Sequence, residues 1–338
     1  MKKVLIIIGI ILIIILFYIC HPTWTKSIKG GISELKMVDI NGTKLEVMIR
    51  GNNIDNPVLL YVHGGPSLPD LSYMNKYQDL LEKDFIVVSY AQRGSGNSYH
   101  FFEDYSNNNI STQVDDLISL TEYLKDYLNK DKIILVGHSW GSYIGLLAVN
   151  KDSSNYLAFV GIGQVVDSIK SEQYTYNKIM DILEEENDKD NIDYLESIKD
   201  DIDSGKRFVP RSILRKYGYS ERNIKVEEEL ISNYFWSRES NLVDGIRYLK
   251  GMKYMDILWD EVVDNPLDGI VTKANIPVYI VMGKYDGSTS PILAKEFFDK
   301  LDCDMKEFYI FNDSSHYPHF EEEKKFYDLM YNIFIKNT

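Results

Sequence analysis

Apolar runs of strand length alternate along the chain with longer stretches whose apolar positions recur at the spacing of a helix face. Residues 58–62, 85–90, 132–136, 157–162, 277–281 and 308–311 are the strand-length runs, and residues 71–82, 112–128, 139–149, 291–301 and 321–335 carry the helical pattern. Regular alternation predicts an α/β protein, a mostly parallel sheet with helices on both faces, because each parallel crossover needs a helix-length connection. Ahead of the first run, residues 34–40 and 44–49 flank Asn41-Gly42. That dipeptide is favoured in two-residue hairpin turns because both residues tolerate positive φ, so the body is expected to open with a β-hairpin.

The alternation stops between residues 166 and 275. Charged, Tyr-rich helical stretches take over there, which predicts a helical cap inserted into one α/β core made of residues 31–165 and 276–338. Residues 181–203 hold eleven acids against Lys189 and Lys199, nine net negative charges in twenty-three residues. The run reads first as a solvated helix face, and its field would favour a cationic amine substrate.

Residues 4–19 contain only apolar residues, Gly9 and Tyr18, preceded by Lys2 and Lys3 and followed by Cys20, His21 and Pro22. Sixteen residues at ~1.5 Å each reach ~24 Å against a hydrocarbon core of ~30 Å, a gap that snorkelling lysines and Trp24 narrow. The expectation is a single-pass N-terminal membrane anchor, with residues 1–30 as anchor and linker. A cleaved signal peptide, leaving a secreted protein, is the competing reading, although no small-x-small cleavage site follows Ile19. The N-terminal amine with Lys2 and Lys3 outweighs Lys26 and Lys29, which places the body on the extracytoplasmic side.

Charge and cysteine usage narrow the function. The 51 acids against 37 Lys and Arg give a net charge of -14, which repels phosphate backbones and argues against a nucleic-acid partner. Cys20 and Cys303 are too few for a disulfide framework or a Cys-based zinc site, and no His-x-x-x-His occurs, so neither metal nor organic cofactor is expected. Gly94-Ser95-Gly96 lacks the further spacing of a dinucleotide fingerprint.

The chemistry-bearing signal is Gly137-His138-Ser139-Trp140-Gly141, straight after the apolar run ending at Val136 and ahead of a helical pattern. Strand, Gly-x-Ser-x-Gly, helix is the context of a nucleophile elbow, in which the flanking glycines make room for a strained turn and the helix N-terminus favours negative charge. A serine hydroxyl needs a base oriented by a carboxylate, in the chain order Ser, acid, His. Six histidines exist, and only His316 and His319 follow the serine. His316 leaves the strand at residues 308–311 through Asn312-Asp313-Ser314-Ser315 and is the better placed; Asp286, at the carboxyl end of the strand at 277–281, is the acid, ahead of Asp302, Asp304 and Asp313. For the oxyanion the expected donors are the backbone N–H groups of Trp140 and of Gly65, in His63-Gly64-Gly65-Pro66. The Trp140 indole either lines the pocket or packs in the core.

With His63-Gly64-Gly65-Pro66, Gln92-Arg93-Gly94-Ser95-Gly96, Ser139-Trp140-Gly141-Ser142 and the surroundings of Asp286 and His316 in view, the sequence resembles the α/β-hydrolases, and among them the proline iminopeptidases and related aminopeptidases. It departs from their pattern at Ser67, where Gly is usual, and at Ala91, where Asp is. The resemblance implies an α/β-hydrolase fold, cleavage of an N-terminal residue, often proline, from short peptides through an acyl-enzyme, and a cap glutamate that holds the substrate's free amine. Glu239, in Trp236-Ser237-Arg238-Glu239, is the nearest candidate, with Trp236 beside it; a surface salt bridge to Arg238 or Arg247 is the competing reading for Glu239. An esterase acting on small acyl substrates, or a non-catalytic interaction module on the same fold, are the alternatives.

Overall fold

The computed structural model describes residues 2–336. A helix α1 (Lys2–Cys20) leads into the hairpin β1 (Ile32–Ile40) and β2 (Thr43–Gly51), and Asn41 and Gly42 turn it at φ 46 and 81, as the dipeptide predicts. There follow β3 (Val58–Val62), α2 (Leu71–Tyr77), β4 (Ile86–Tyr90), α3 (Ile110–Leu128), β5 (Ile133–His138), α4 (Trp140–Lys151) and β6 (Tyr156–Ile162). The chain ends in β7 (Val278–Gly283), α12 (Pro291–Lys300), β8 (Lys306–Phe311), α13 (Pro318–Glu321) and α14 (Glu323–Phe334). Between β6 and β7 lie seven helices and, among the described residues, no strand: α5 (Ser168–Glu185), α6 (Lys189–Ser197), α7 (Lys199–Asp203), α8 (Arg211–Lys216), α9 (Val226–Trp236), α10 (Leu242–Gly251) and α11 (Met255–Asp264).

The eight strands form one sheet in the order β1-β2-β4-β3-β5-β6-β7-β8. β2 pairs antiparallel with β1 and β4, and every other pairing is parallel. The central strands β3, β4 and β5 are buried along their whole length, as strands covered on both faces must be. Leu60, Val62, Ile133 and Leu135 face one layer with Leu117, Leu120 and Ile144 of α3 and α4. Leu59, Tyr61, Ile134 and Val136 face the other, with Met74 of α2 and Phe326 and Met330 of α14. Each such side chain contributes roughly 1.5–3 kcal/mol by leaving water, and the period-two alternation fixes the register.

The expected helix at 71–82 is broken. α2 ends at Tyr77, and Glu82 is instead drawn inward to a buried ion pair with Arg50 at 2.6 Å, supported by Gln78 Nε2 at 2.7 Å. In the inserted helices the acid run follows the solvated-face pattern. Leu183, Leu195, Ile198 and Ile202 turn into a local core while the acids between them stay outside, Asp188 paired with Lys216 at 2.5 Å and Asp201 with Arg207 at 3.2 Å.

The expectation of a membrane anchor is overturned. Among the described residues no helix is long and apolar enough to cross a membrane; the uninterrupted apolar stretch, at ~24 Å, falls short of a ~30 Å hydrocarbon core. Placement in a membrane through residues 4–19, and with it the extracytoplasmic body, is therefore withdrawn. The residues after α1 are tied to the body: Asn241 Nδ2 donates to His21 O at 3.0 Å, Trp24 N to Arg238 O at 3.0 Å, and Arg50 to Thr25 Oγ1 at 2.7 Å.

Candidate active site

Ser139 stands at the turn from β5 into α4 with φ 52 and ψ −122, a conformation that costs an L-residue about 1–3 kcal/mol and persists only where the surroundings enforce it. Its N–H donates to Ile162 O at 2.8 Å, and its carbonyl accepts from Ser142 Oγ at 2.6 Å. The two motif glycines allow the approach of neighbouring backbone. A Cβ on Gly137 would stand 2.3 Å from Gly141 O, and one on Gly141 would stand 2.1 Å from Val62 O.

Asp286 and His316 come from turns after β7 and β8, on the same carboxyl edge of the sheet. His316 Nδ1 lies 2.9 Å from Asp286 Oδ2 and 3.1 Å from Oδ1. Asp286 also accepts from Ser288 N at 2.9 Å, Thr289 N at 2.8 Å and Thr289 Oγ1 at 2.8 Å. Burial pushes its carboxyl up, but the positive charge of a protonated His316 and these hydrogen bonds outweigh burial and hold it below the usual carboxylate value. Gly283 lets the histidine loop cross the end of β7, since a Cβ there would meet Ser315 O at 1.8 Å. The inserted helices reach both loops through the segment after α8: Gly287 N donates to Tyr219 O at 2.8 Å, and His316 N to Ser220 O at 3.2 Å.

The serine and the pair are neighbours. Ser139 is bonded to Ile162, and the next residue, Gly163, abuts the pair: a Cβ on it would lie 3.1 Å from the His316 ring and 3.4 Å from Asp286 Oδ2. On the other side His138 Nε2–H donates to His316 O at 2.9 Å, the two rings 4.8 Å apart. Burial, then the charge of His316, lowers His138 to about 3, so it stays neutral.

The loop after β3 closes the third side. A Cβ on Gly64 would lie 3.3 Å from Ser139 Cβ. His63 Nδ1–H donates to Gly64 O at 2.7 Å while Nε2 accepts from Gln92 N at 3.2 Å. Burial, opposed by the Gly64 bond, lowers this imidazole to about 4. Gln92 joins this loop to the elbow, donating from Nε2 to His63 O at 3.0 Å and accepting from the Trp140 indole at 2.8 Å. The indole is therefore fully buried core.

The remaining candidates lie elsewhere. His319 is buried, with Nε2 3.1 Å from the Tyr61 hydroxyl, and is not the partner of Asp286. Asp302 pairs with Lys273 at 3.3 Å on the surface. Glu239 is not a surface group: it is buried, accepts from Asn75 Nδ2 at 2.6 Å and lies 3.9 Å from Arg238 Nε. The side chain of Trp236 lies outside the described residues. Sequence reasoning missed Thr289, although Asp286-Gly287-Ser288-Thr289 has the form of an Asx turn, and it missed the bridging role of Gln92, which opens the motif Gln92-Arg93-Gly94-Ser95-Gly96 but whose partners His63 and Trp140 are distant in the chain.

The chain is 30% identical over 311 residues to a Bacillus subtilis protein named probable aminopeptidase YbaC, covering 88% of this chain and 95% of that one. It is 26% identical over 289 residues to a proline iminopeptidase of Saccharolobus solfataricus, covering 83% and 85%. The solved proline iminopeptidase of Mycobacterium smegmatis superposes with a TM-score of 0.66 at 15% identity, covering 90% of this chain and 98% of that one, a likeness of fold alone. A profile described as the alpha/beta hydrolase fold matches residues 57–323, and on that match the chain belongs to the α/β-hydrolase family, a hydrolase whose named sequence relatives are aminopeptidases rather than esterases.

Proposed function

We propose that this hydrolase is a serine aminopeptidase that releases an N-terminal residue, of proline type, from short peptides through an acyl-enzyme. Ser139 Oγ attacks the scissile carbonyl while His316 Nε2 takes its proton. Asp286 holds the imidazole by Nδ1 and stabilises the imidazolium. The N–H groups of Trp140 and Gly65 receive the developing oxyanion. Collapse breaks the C–N bond as His316 returns the proton to the leaving amine, and water, deprotonated by the same imidazole, then hydrolyses the ester. Residues 166–275 act as a cap over a core of residues 31–165 and 276–338.

The observation that carries this reading is the strained serine, at φ 52, beside a buried histidine whose Nδ1 is 2.9 Å from a buried carboxylate. The peptidase element rests on the names of the relatives at 30% and 26% identity. Purified protein is expected to hydrolyse proline p-nitroanilide with kcat/KM exceeding that for other aminoacyl anilides. Turnover of p-nitrophenyl acetate with no anilide hydrolysis would replace the peptidase by an esterase.

A further inference from the structure

The turn that carries Asp286 has a second face, away from His316. Residues 174, 175, 178 and 179 are spaced three and four apart on α5 and share one side of that helix. Between them and the turn after β7 lies a cavity of about 250 Å³, which neither Ser139 nor His316 lines. Thr175 Oγ1 donates to Gly287 O at 3.0 Å and Gly287 N to Tyr219 O at 2.8 Å, so the inserted helices meet the turn at its edge.

Its lining joins aromatic surface to positive charge. Tyr174, Tyr219 and Tyr285 form walls, the last two rings set edge to face at 6.0 Å. Lys178 and Lys284 line it too; both are exposed, and neither forms an ion pair among the described residues. Arg222 adds a further cation, its guanidinium 3.8 Å from the centre of the Tyr285 ring. Asp286, the acid that lines the cavity, already accepts from Ser288 and Thr289 and pairs with His316. Asp181 and Glu185, further along α5, do not line it. In a chain of net charge -14, the charges left open at this cavity are therefore positive. An aromatic ring packs edge-on or offset against tyrosines, and an anionic substituent takes charge-assisted hydrogen bonds from ammonium groups. A cavity at the small end of ligand pockets suits a single ring.

We propose that this cavity binds a small aromatic anion, a carboxylate or phosphate ester on one ring, held by Lys178 and Lys284, and that the bound anion slows access to Ser139 by fastening α5 to the Asp286 turn. Ser139 and His316 are 8% and 6% exposed, so a substrate reaches them only when what covers them shifts. A ligand that touches both α5 and the turn favours the arrangement in which the two lie together. The site does not depend on which substrate the enzyme cleaves.

The test titrates benzoate and phenyl phosphate, with benzylamine as the cationic control, against full-length wild type, Lys178→Gln, Lys284→Gln and the double variant by ligand-observed NMR. Saturable binding of at least one anion with Kd on the order of 1 mM or tighter is expected, weakened about 10-fold by each single substitution, with benzylamine at least about 10-fold weaker. At saturation, fluorophosphonate labelling of wild type is expected to slow by about threefold or more, while the double variant labels at the anion-free wild-type rate with or without the anion. Failure of both anions to saturate wild type, affinity unchanged by both lysine substitutions, or equal binding of benzylamine overturns the site. Equal slowing in the double variant places the anion at the catalytic centre and overturns it as well. An unchanged wild-type labelling rate at saturation overturns the coupling to Ser139. A wild type that takes no probe overturns the serine reading and with it the coupling, while the titration still decides the site.

Discussion

Gln92 is the residue through which the account is most sharply exposed, since it ties the two loops that supply the proposed oxyanion donors. In Gln92→Met a side chain of similar length replaces one that donates to His63 O at 3.0 Å and accepts from Trp140 Nε1 at 2.8 Å. Both partners are buried, and neither loss is compensated by water. At about 1–3 kcal/mol for each stranded group, the variant loses about 4 kcal/mol of stability. A change of that size lowers Tm by roughly 6 °C in a chain of 338 residues. The kinetic effect is separate. Complete loss of one oxyanion donor costs about 100- to 1,000-fold in kcat, so loosening both without deleting either is expected to cost roughly 10- to 100-fold, with KM nearly unchanged. The assay is a thermal melt with kcat per fluorophosphonate-titrated site. A Tm within 2 °C of wild type together with a kcat within twofold, thresholds set at roughly the scatter of such measurements, would refute the bridging argument.

Other consequences follow from the same geometry. Asp286→Asn is expected to cut kcat by roughly 1,000- to 10,000-fold at neutral pH while the melting temperature moves little by comparison, because the imidazole loses its orienting anion; a loss under tenfold would remove Asp286 from the site. Gly141→Ala places a methyl 2.1 Å from Val62 O, an overpacking that costs about 1–3 kcal/mol or more and should abolish probe labelling, measured by gel fluorescence. His63 has a pH signature. Its folded-state value of about 4 lies below the 6.5 of a free imidazole, so the unfolded chain takes up the proton first and stability is lost as pH falls from about 6.5 towards 4. From pH 7 to 5 the wild type should lose about 2 kcal/mol relative to His63→Gln, read by urea unfolding of both proteins; parallel curves would contradict the buried neutral imidazole.

The sequence disclosed the sheet because its strands are buried on both faces, and such strands read as continuous apolar runs: 58–62 was legible to the residue. The proposed Ser139, Asp286 and His316 could be picked out for a similar reason: Ser139 follows β5 directly, and Asp286 and His316 lie in the loops after β7 and β8, at the carboxyl edge where open α/β sheets place their sites. What escaped reading were groups defined by partners distant in the chain. Glu82 leaves a helical pattern because Arg50, thirty-two residues earlier, pairs with it. Glu239 reads as a surface acid beside Arg238, but Asn75 of α2 donates to it and it is buried. The N-terminal segment shows the converse failure. Composition marks it as apolar, but spanning depends on length, and residues 4–19 fall short of the ~20 residues a spanning helix needs.

The central claim is that Ser139 is a nucleophile activated by His316 and Asp286. Time-resolved labelling of the purified full-length protein by a fluorophosphonate probe, run beside Ser139→Ala and His316→Ala, tests it most directly. The account predicts one probe per chain in wild type, none in Ser139→Ala, and labelling slowed by roughly 1,000-fold or more in His316→Ala. Undiminished labelling of Ser139→Ala would contradict it.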